Sequence, residues 1–280
     1  MKVDGALQVP RFLILTSALS APWWWMVREH SSGIYVTFMM WSPALAAVLS
    51  GAGLDSLGWR APNFRWIVLG GLTTLLGIGT AHAPVFGFGL VDFATPALVS
   101  AAVAGLHFRA LPSVLAVILL ALFLTLAGTI RLAGPALGEE LGWRGFLVPA
   151  LFRRYGFVIA SVASGLIWSL WHWPIMLGKI PALSLANFTV GIMGVGVAMA
   201  WFRLRSGSIW PSTVMHALHN SLLTGFIVKL SEPGSAADKW VDETGYAMGL
   251  MGLLLAAVFL LLLPRPIPPD DRAPDRFSPT

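Results

Sequence analysis

Long apolar runs recur along the chain, and short polar segments that carry arginines separate them. A run of about 20 mostly apolar residues is long enough to cross the hydrocarbon core of a bilayer as a helix. The pattern therefore predicts an all-α, polytopic membrane protein with about eight transmembrane helices. The predicted spans cover residues 12–27, 33–51, 66–90, 113–130, 157–177, 187–202, 209–229 and 245–263.

Two shorter segments on either side of the fourth span complicate this topology. We predict that residues 93–106 are re-entrant or interfacial, and that a helix over about 136–151 dips into the protein from the cytoplasmic side. If neither segment crosses the membrane, Arg153 and Arg154 lie on the cytoplasmic side, where Lys and Arg are enriched beside membrane spans. The same rule predicts that the N and C termini are cytoplasmic.

Composition agrees with a membrane location. Hydrophobic residues make up 56% of the 280 residues and charged residues only 11%, compared with roughly 25% charged residues in an ordinary soluble domain. The net charge is +5, but the Lys and Arg residues are scattered between spans, which predicts a lipid bilayer as partner and no nucleic acid. The chain has no cysteine, which excludes a thiol nucleophile and cysteine metal ligands.

Two adjacent carboxylates and an arginine interrupt the apolar sequence at residues 138–145. In a helix, Glu140 and Arg144 are four residues apart and can form an ion pair. Glu139 points about 100° away around the helix axis, so it can face a cavity while its neighbour is structural. Ionisable groups within a membrane are costly, which makes this stretch a candidate functional site.

Three later positions carry polar side chains inside predicted spans. His172 lies near the end of an aromatic-rich span, and His216 and Asn220 share one side of another helix because they are four residues apart. His219 can share that side as well. We expect these groups to converge on one polar intramembrane cavity. Glutamate and histidine can deprotonate water, and histidine with asparagine can bind an oxyanion, which suits amide hydrolysis.

These motifs resemble those of a known family, the CPBP intramembrane proteases, which include the CAAX prenyl proteases and the bacterial Abi proteins linked to bacteriocin immunity. The patterns of that family are EExxxR, FxxxH and HxxxN or HxxxD. In the second pattern, this chain has Trp168 where the family has Phe. The matching residues are Glu139, Glu140 and Arg144 for the first pattern, His172 for the second, and His216 and Asn220 for the third.

The resemblance implies a catalytic role for four of these side chains. Glu139 would be the general base that activates water, assisted by His172. His216 and Asn220 would bind the oxyanion of the tetrahedral intermediate. The supporting residues would be Glu140 and Arg144.

The cofactor requirement stays open at this point. Members of the family are often called metalloproteases, and Glu139, His172 and His216 could hold a zinc ion with one position left for water. However, the sequence lacks H-E-x-x-H, the helical zinc signature of many metalloproteases. We therefore expect a glutamate-activated water without an obligatory metal.

The expected function is an endopeptidase that hydrolyses a peptide bond of a membrane-anchored or lipidated protein or peptide. The alternative is a transporter, or a bacteriocin-immunity or binding protein, that uses the same polar cavity. A rhomboid-like serine protease is disfavoured because Ser164-Gly165 lacks the preceding glycine of a G-x-S-G motif. A presenilin-type aspartyl protease is disfavoured because G-x-G-D is absent.

The positions of the motifs suggest three parts of the chain. Residues 1–110 would form N-terminal membrane spans, and residues 111–264 the protease-like catalytic membrane core. Residues 265–280 contain repeated Pro and Asp, and we predict a disordered cytoplasmic tail.

Overall fold

The computed structural model describes residues 5–30, 32–104 and 113–263. Within these ranges the chain forms helices and no strand, with one isolated β-bridge between Phe93 and Ser231. The prediction of an all-α protein is confirmed. The helices in chain order are α1 (Gly5–His30), α2 (Gly33–Leu49), α3 (Phe64–Gly87), α4 (Pro96–Ala104), α5 (Ser113–Glu140), π1 (Leu141–Leu147), α6 (Val148–Met176), α7 (Ala182–Ser206), α8 (Trp210–Leu222), π2 (Leu223–Ile227), α9 (Val228–Leu230), α10 (Ser235–Trp240) and α11 (Tyr246–Leu261).

Several of these helices are suited to a membrane. Among the described residues, three helical segments are long and apolar enough to cross one, namely α3, the continuous segment Val117–Met176 and α7. Two shorter helices, α2 and α11, are also apolar. A membrane protein is therefore indicated, but the predicted count of eight spans is not confirmed. The part boundaries at residues 110 and 264 stay predictions, and the predicted tail lies outside the described residues.

The predicted gap between the fourth span and the Glu139 helix is wrong. Residues 131–135 lie inside α5, which includes Pro135 and continues to Glu140. A proline inside a helix removes one backbone hydrogen bond, and neighbouring helices in a membrane protein can offset this loss. The motif glutamates therefore end a long helix that runs on into π1 and do not belong to a separate short helix.

The stretch that follows the glutamates is a π-helix, and all of its residues from Leu141 to Leu147 are buried. Single π-helical turns within α-helices are rare and frequently mark functional sites. Because π1 begins directly after Glu140, it carries Arg144 into the interior of the protein.

A sharp break in α6 separates the motif stretch from the helical segment that follows it. The backbone of Gly156 has φ 74° and ψ −179°, a combination that is essentially confined to glycine. The part of α6 after this break ends at Met176 and measures about 30 Å at 1.5 Å per residue, the thickness of the hydrocarbon core. It agrees with the predicted span 157–177.

Glycines allow α2 to pack closely against the motif stretch. A Cβ at Gly138 would lie 2.8 Å from the carbonyl oxygen of Met40, and a Cβ at Gly142 would lie 2.4 Å from the Cβ of Pro43. Small residues four positions apart are a common way for membrane helices to approach each other. The contact holds the end of α5 beside α2.

We expect Gly142→Ala to destabilise the protein by about 1–3 kcal/mol, the usual effect of overpacking, because the new methyl group meets Pro43. Gly134→Ala is the matched control, because no atom lies within 4 Å of its new Cβ. Alanine is favoured over glycine inside a helix by roughly 0.5–1 kcal/mol, so this variant should unfold at the same or a higher temperature. Thermal unfolding in detergent, followed by circular dichroism, measures both, and equal midpoints would contradict the packing described.

Candidate active site

A cavity of about 200 Å³ lies between α2, the end of α5, α6, α7, α8 and the segment that joins α10 to α11. It can hold roughly six water molecules at the density of the liquid. The four side chains predicted as catalytic all line it. The polar lining residues are Glu139, His172, His216, His219, Asn220 and Glu243. The apolar lining residues include Val36, Met39, Met40, Ile175, Met176, Phe188, Ile192 and Met199.

The carboxylate of Glu140 connects two of the motifs. Its Oε1 accepts a hydrogen bond from Nη1 of Arg144 at 2.8 Å and another from Nδ1 of His216 at 3.0 Å. Glu140 and Arg144 are both fully buried. The predicted i, i+4 ion pair is present, and the bond to His216 adds a link between α5 and α8 that the sequence did not indicate.

Among the described residues, one side chain donates a hydrogen bond to the carboxylate of Glu139. Nε1–H of Trp168 donates to Oε2 of Glu139 at 2.5 Å. Within the described ranges, Oε1 of Glu139 has no hydrogen-bond partner, and the residue lines the cavity. One carboxylate oxygen is therefore fixed by the indole, while the other is available to a molecule in the cavity.

Both motif histidines use Nδ1 for contacts within the protein. Nδ1–H of His172 donates to the carbonyl oxygen of Trp168 at 2.9 Å, and Nδ1–H of His216 donates to Glu140. These acceptors fix the tautomer, because a carbonyl or carboxylate oxygen needs a proton on the facing nitrogen. In the part of the chain that the structure describes, Nε2 of each ring has no protein partner, which leaves it for substrate or water.

Trp168 occupies the centre of this arrangement. The guanidinium carbon of Arg144 lies 4.1 Å from the centre of its ring, a cation–π contact. The ring of His216 packs edge-on against it with the centroids 5.2 Å apart. Trp168 therefore contacts groups from all three motifs. One feature of the sequence indicates this role: Trp replaces Phe in the second motif and adds an N–H donor.

Glu243 is a second lining residue that sequence reasoning missed. It lies between the predicted spans 209–229 and 245–263 and belongs to none of the three motifs. The structure brings its half-buried carboxyl to the cavity. Burial, together with the neighbouring Asp242, raises the pKa of Glu243 to about 7.

The paired arginines after the first motif lie elsewhere. Arg153 lines a separate cavity of about 40 Å³ with Gln8 and Phe146, and neither Arg153 nor Arg154 lines the larger cavity. His219, which the helical spacing placed near His216, does line it.

In the described ranges, no group of three His, Cys, Asp or Glu residues is placed to hold a metal ion. The predicted zinc ligands Glu139, His172 and His216 share the cavity, and their binding of a metal stays a prediction. We therefore derive the chemistry below from these side chains and water.

Comparison with known proteins agrees with the motifs. Residues 118–222, which contain all three motifs, match a family model described as type II CAAX prenyl endopeptidase Rce1-like. CAAX prenyl protease 2 of Methanococcus maripaludis is 35% identical over 132 residues, a match that covers 44% of this chain and 45% of that protein. The matched region thus spans less than half of the relative's length. Neither comparison supports the transporter or immunity alternative. Residues 118–222 are thus similar to the Rce1-like CAAX prenyl endopeptidases, in agreement with the resemblance to the CPBP family that the three motifs indicate.

Proposed function

We propose that this protein is an intramembrane endopeptidase that hydrolyses a peptide bond of a membrane-anchored or lipidated protein or peptide. The observation that supports this most directly is the set of groups facing one cavity. Oε1 of Glu139 and Nε2 of His172 and His216 have no protein partner in the described ranges. Amide hydrolysis requires a base, a second side chain that binds the attacking water, and a hydrogen-bond donor to the oxyanion.

In the first step, Glu139 and His172 hold a water molecule. Oε1 of Glu139 takes a proton from this water while its oxygen attacks the carbonyl carbon of the substrate. Nε2 of His172 accepts a hydrogen bond from the second O–H of the water and so orients the molecule. Because Trp168 holds Oε2 of Glu139, the basic oxygen keeps its direction during the attack.

The attack leaves a negative charge on the former carbonyl oxygen. Nε2–H of protonated His216 and the side-chain amide of Asn220 donate hydrogen bonds to this oxyanion. The Glu140 carboxylate, which accepts from Nδ1 of His216, balances the charge on that ring. A carboxylate behind a functional histidine fixes its orientation in the same way in many sites.

Collapse of the tetrahedral intermediate completes the reaction. The C–N bond breaks, the carbonyl double bond re-forms, and the leaving nitrogen takes the proton that Glu139 received from water. The products are a carboxylic acid and an amine, and Glu139 returns to the carboxylate. No other proton donor is needed for this balance.

The lining of the cavity suits a lipidated substrate. Its apolar side is formed by α2, α6 and α7, with Met39 and Phe188 among the buried members. The names of the matching family and of the relative refer to CAAX prenyl substrates. We therefore propose a protein or peptide with a prenylated cysteine as the first substrate to test.

Glu139→Gln should reduce cleavage of a fluorogenic prenylated peptide by about 10²–10⁴-fold, the usual contribution of a general base. The matched control is Glu232→Gln, which removes an exposed carboxylate that does not line the cavity. Both proteins are purified in detergent and assayed beside wild type, with and without a strong zinc chelator.

Wild-type activity that survives chelation and disappears with Glu139→Gln would agree with a glutamate-activated water. Activity lost on chelation and restored by zinc would instead make Glu139, His172 and His216 metal ligands. Cleavage by Glu139→Gln at the wild-type rate would end the catalytic assignment.

Trp168→Phe should lower kcat by roughly 10- to 100-fold, because it removes a hydrogen bond to a charged group worth about 1.5–3 kcal/mol. Trp171→Phe is the matched control: it loses the same ring volume and an indole bond to Ser20, 2.8 Å long, but no bond to Glu139. In a Glu139→Asp background, the shortened carboxylate no longer reaches the indole, so Trp168→Phe should add little further loss. Independent, additive losses would contradict a role through Glu139.

Arg144→Ala should lower the free energy of unfolding by about 3–5 kcal/mol, because it leaves a buried carboxylate without its cation. The control Arg154→Ala removes an exposed arginine and should change stability by less than about 0.5 kcal/mol. Thermal and denaturant unfolding in detergent compare the two. An Arg144→Ala protein as stable as wild type would show that Glu140 is neutral or solvated.

A further inference from the structure

Glu243 is a carboxyl group in the catalytic cavity that has no role in the mechanism above. It lies between α10 and α11, more than a hundred residues after Glu139, and outside all three motifs. Nevertheless, it lines the same cavity as Glu139 and His216. An acidic side chain in this position meets whatever part of the substrate enters the cavity.

Hydrogen bonds fix the backbone before and after Glu243. Before it, the carbonyl oxygen of Val241 lies 3.1 Å from Nε2 of His82 on α3, and both residues are buried. After it, the backbone N–H of Gly245 donates to the carbonyl oxygen of Asp242 at 2.8 Å. These contacts hold Glu243 against the cavity, unlike the carboxylates of a solvated loop.

Among the described residues, the backbone N–H of Glu243 has a hydrogen-bond partner, but its carboxyl group has none. Its N–H donates to Oδ1 of Asp242 at 2.7 Å. In the ranges that the structure describes, the Glu243 carboxyl has neither a hydrogen bond nor an ion pair. A half-buried carboxyl without a partner is available to a ligand, and a cation is the group that stabilises it best.

The charges around the cavity favour the same kind of ligand. Glu139 and Asp242 are acidic neighbours that disfavour ionisation of Glu243. No Lys or Arg side chain lines the cavity. A positive group that enters next to Glu243 would therefore meet several carboxylates, which outnumber the one cation that the proposed mechanism places in the cavity, protonated His216. A negative group would be disfavoured by the same excess of negative charge.

We propose that Glu243 determines substrate specificity: it favours peptides that carry a Lys or Arg side chain close to the scissile bond and disfavours peptides with Glu or Asp there. This inference rests on the proposed endopeptidase function and adds a substrate class to it. Glu243 acts on binding and positioning of the substrate, while the chemistry stays with Glu139 and its partners.

The test compares wild type, Glu243→Gln and Glu243→Lys on a panel of prenylated fluorogenic peptides. The peptides differ only in having Lys, Gln or Glu at one of the three positions on either side of the scissile bond. At the most sensitive position, wild type should prefer the Lys peptide over the Glu peptide by about tenfold in kcat/KM, as expected for one charge pair in a partly solvated site. Glu243→Gln should abolish this preference, and Glu243→Lys should reverse it.

Asp238→Asn is the matched control, because it removes an exposed carboxylate of the same acidic segment that does not line the cavity. Its Lys-to-Glu preference should equal that of wild type. If Glu243→Gln lowers kcat/KM equally for all peptides, or if its preference stays at the wild-type value, the specificity role is wrong. If Asp238→Asn changes the preference as much as Glu243→Gln does, the general charge of the segment is responsible and the proposal is overturned.

A binding experiment separates this inference from the proposed function. In a Glu139→Gln background, which cannot use the proposed base, the affinities of the same Lys and Glu peptides are measured with and without Glu243→Gln. A preference for the Lys peptide that disappears with Glu243→Gln supports the specificity role even if wild type cleaves none of the peptides. Equal affinities in both proteins overturn it even if wild type is an active protease.

The ratio of kcat/KM for the Lys peptide to kcat/KM for the Glu peptide should also depend on pH. Because the pKa of Glu243 is about 7, the Lys preference should be weak at pH 6, where this carboxyl is mostly protonated, and should grow towards pH 8. The ratio cancels effects of pH on the catalytic step that are common to both peptides, and Glu243→Gln measures what the other titratable groups that face Glu243 contribute to the ratio. These groups are Glu139, His172, His216, His219 and Asp242. A ratio that rises equally in Glu243→Gln would assign the effect to them and not to Glu243.

Discussion

The structure depends on the buried carboxylate of Glu140, which accepts hydrogen bonds from two side chains. Glu140 accepts from Arg144 within the same helical stretch and from His216 on α8. A buried ion pair gains little net stability, because removing both charges from water is costly. Its effect here is on geometry: the pair sets the direction of π1, and the bond to His216 sets the orientation of a ring that faces the cavity.

A second constraint is the close contact between the motif stretch and α2. Gly138 and Gly142 leave no room for a side chain against Met40 and Pro43. This packing excludes lipid and water from one side of the glutamates. It therefore makes the ion pair obligatory, because in such an environment an unpaired charge has no solvent to stabilise it.

These two constraints explain how a mostly apolar protein can hold a carboxylate that faces an internal cavity. Arg144 neutralises Glu140 and stacks on Trp168, and Trp168 in turn holds one oxygen of Glu139. Glu139 and His216, which line the cavity, are thus each held by a hydrogen bond to a buried side chain.

The sequence by itself determined the helical membrane class and the contact between Glu140 and Arg144, because both depend on local information, namely apolar run length and i, i+4 spacing. The six motif residues came from the resemblance to a known family, and their roles stay predictions. Only the tertiary structure decided that α5 continues through Pro135, that Trp168 binds Glu139, and that Glu243 enters the cavity. The bond between Glu140 and His216 joins residues 76 positions apart. Such contacts depend on how the helices pack, and neither hydrophobic periodicity nor motif spacing carries that information.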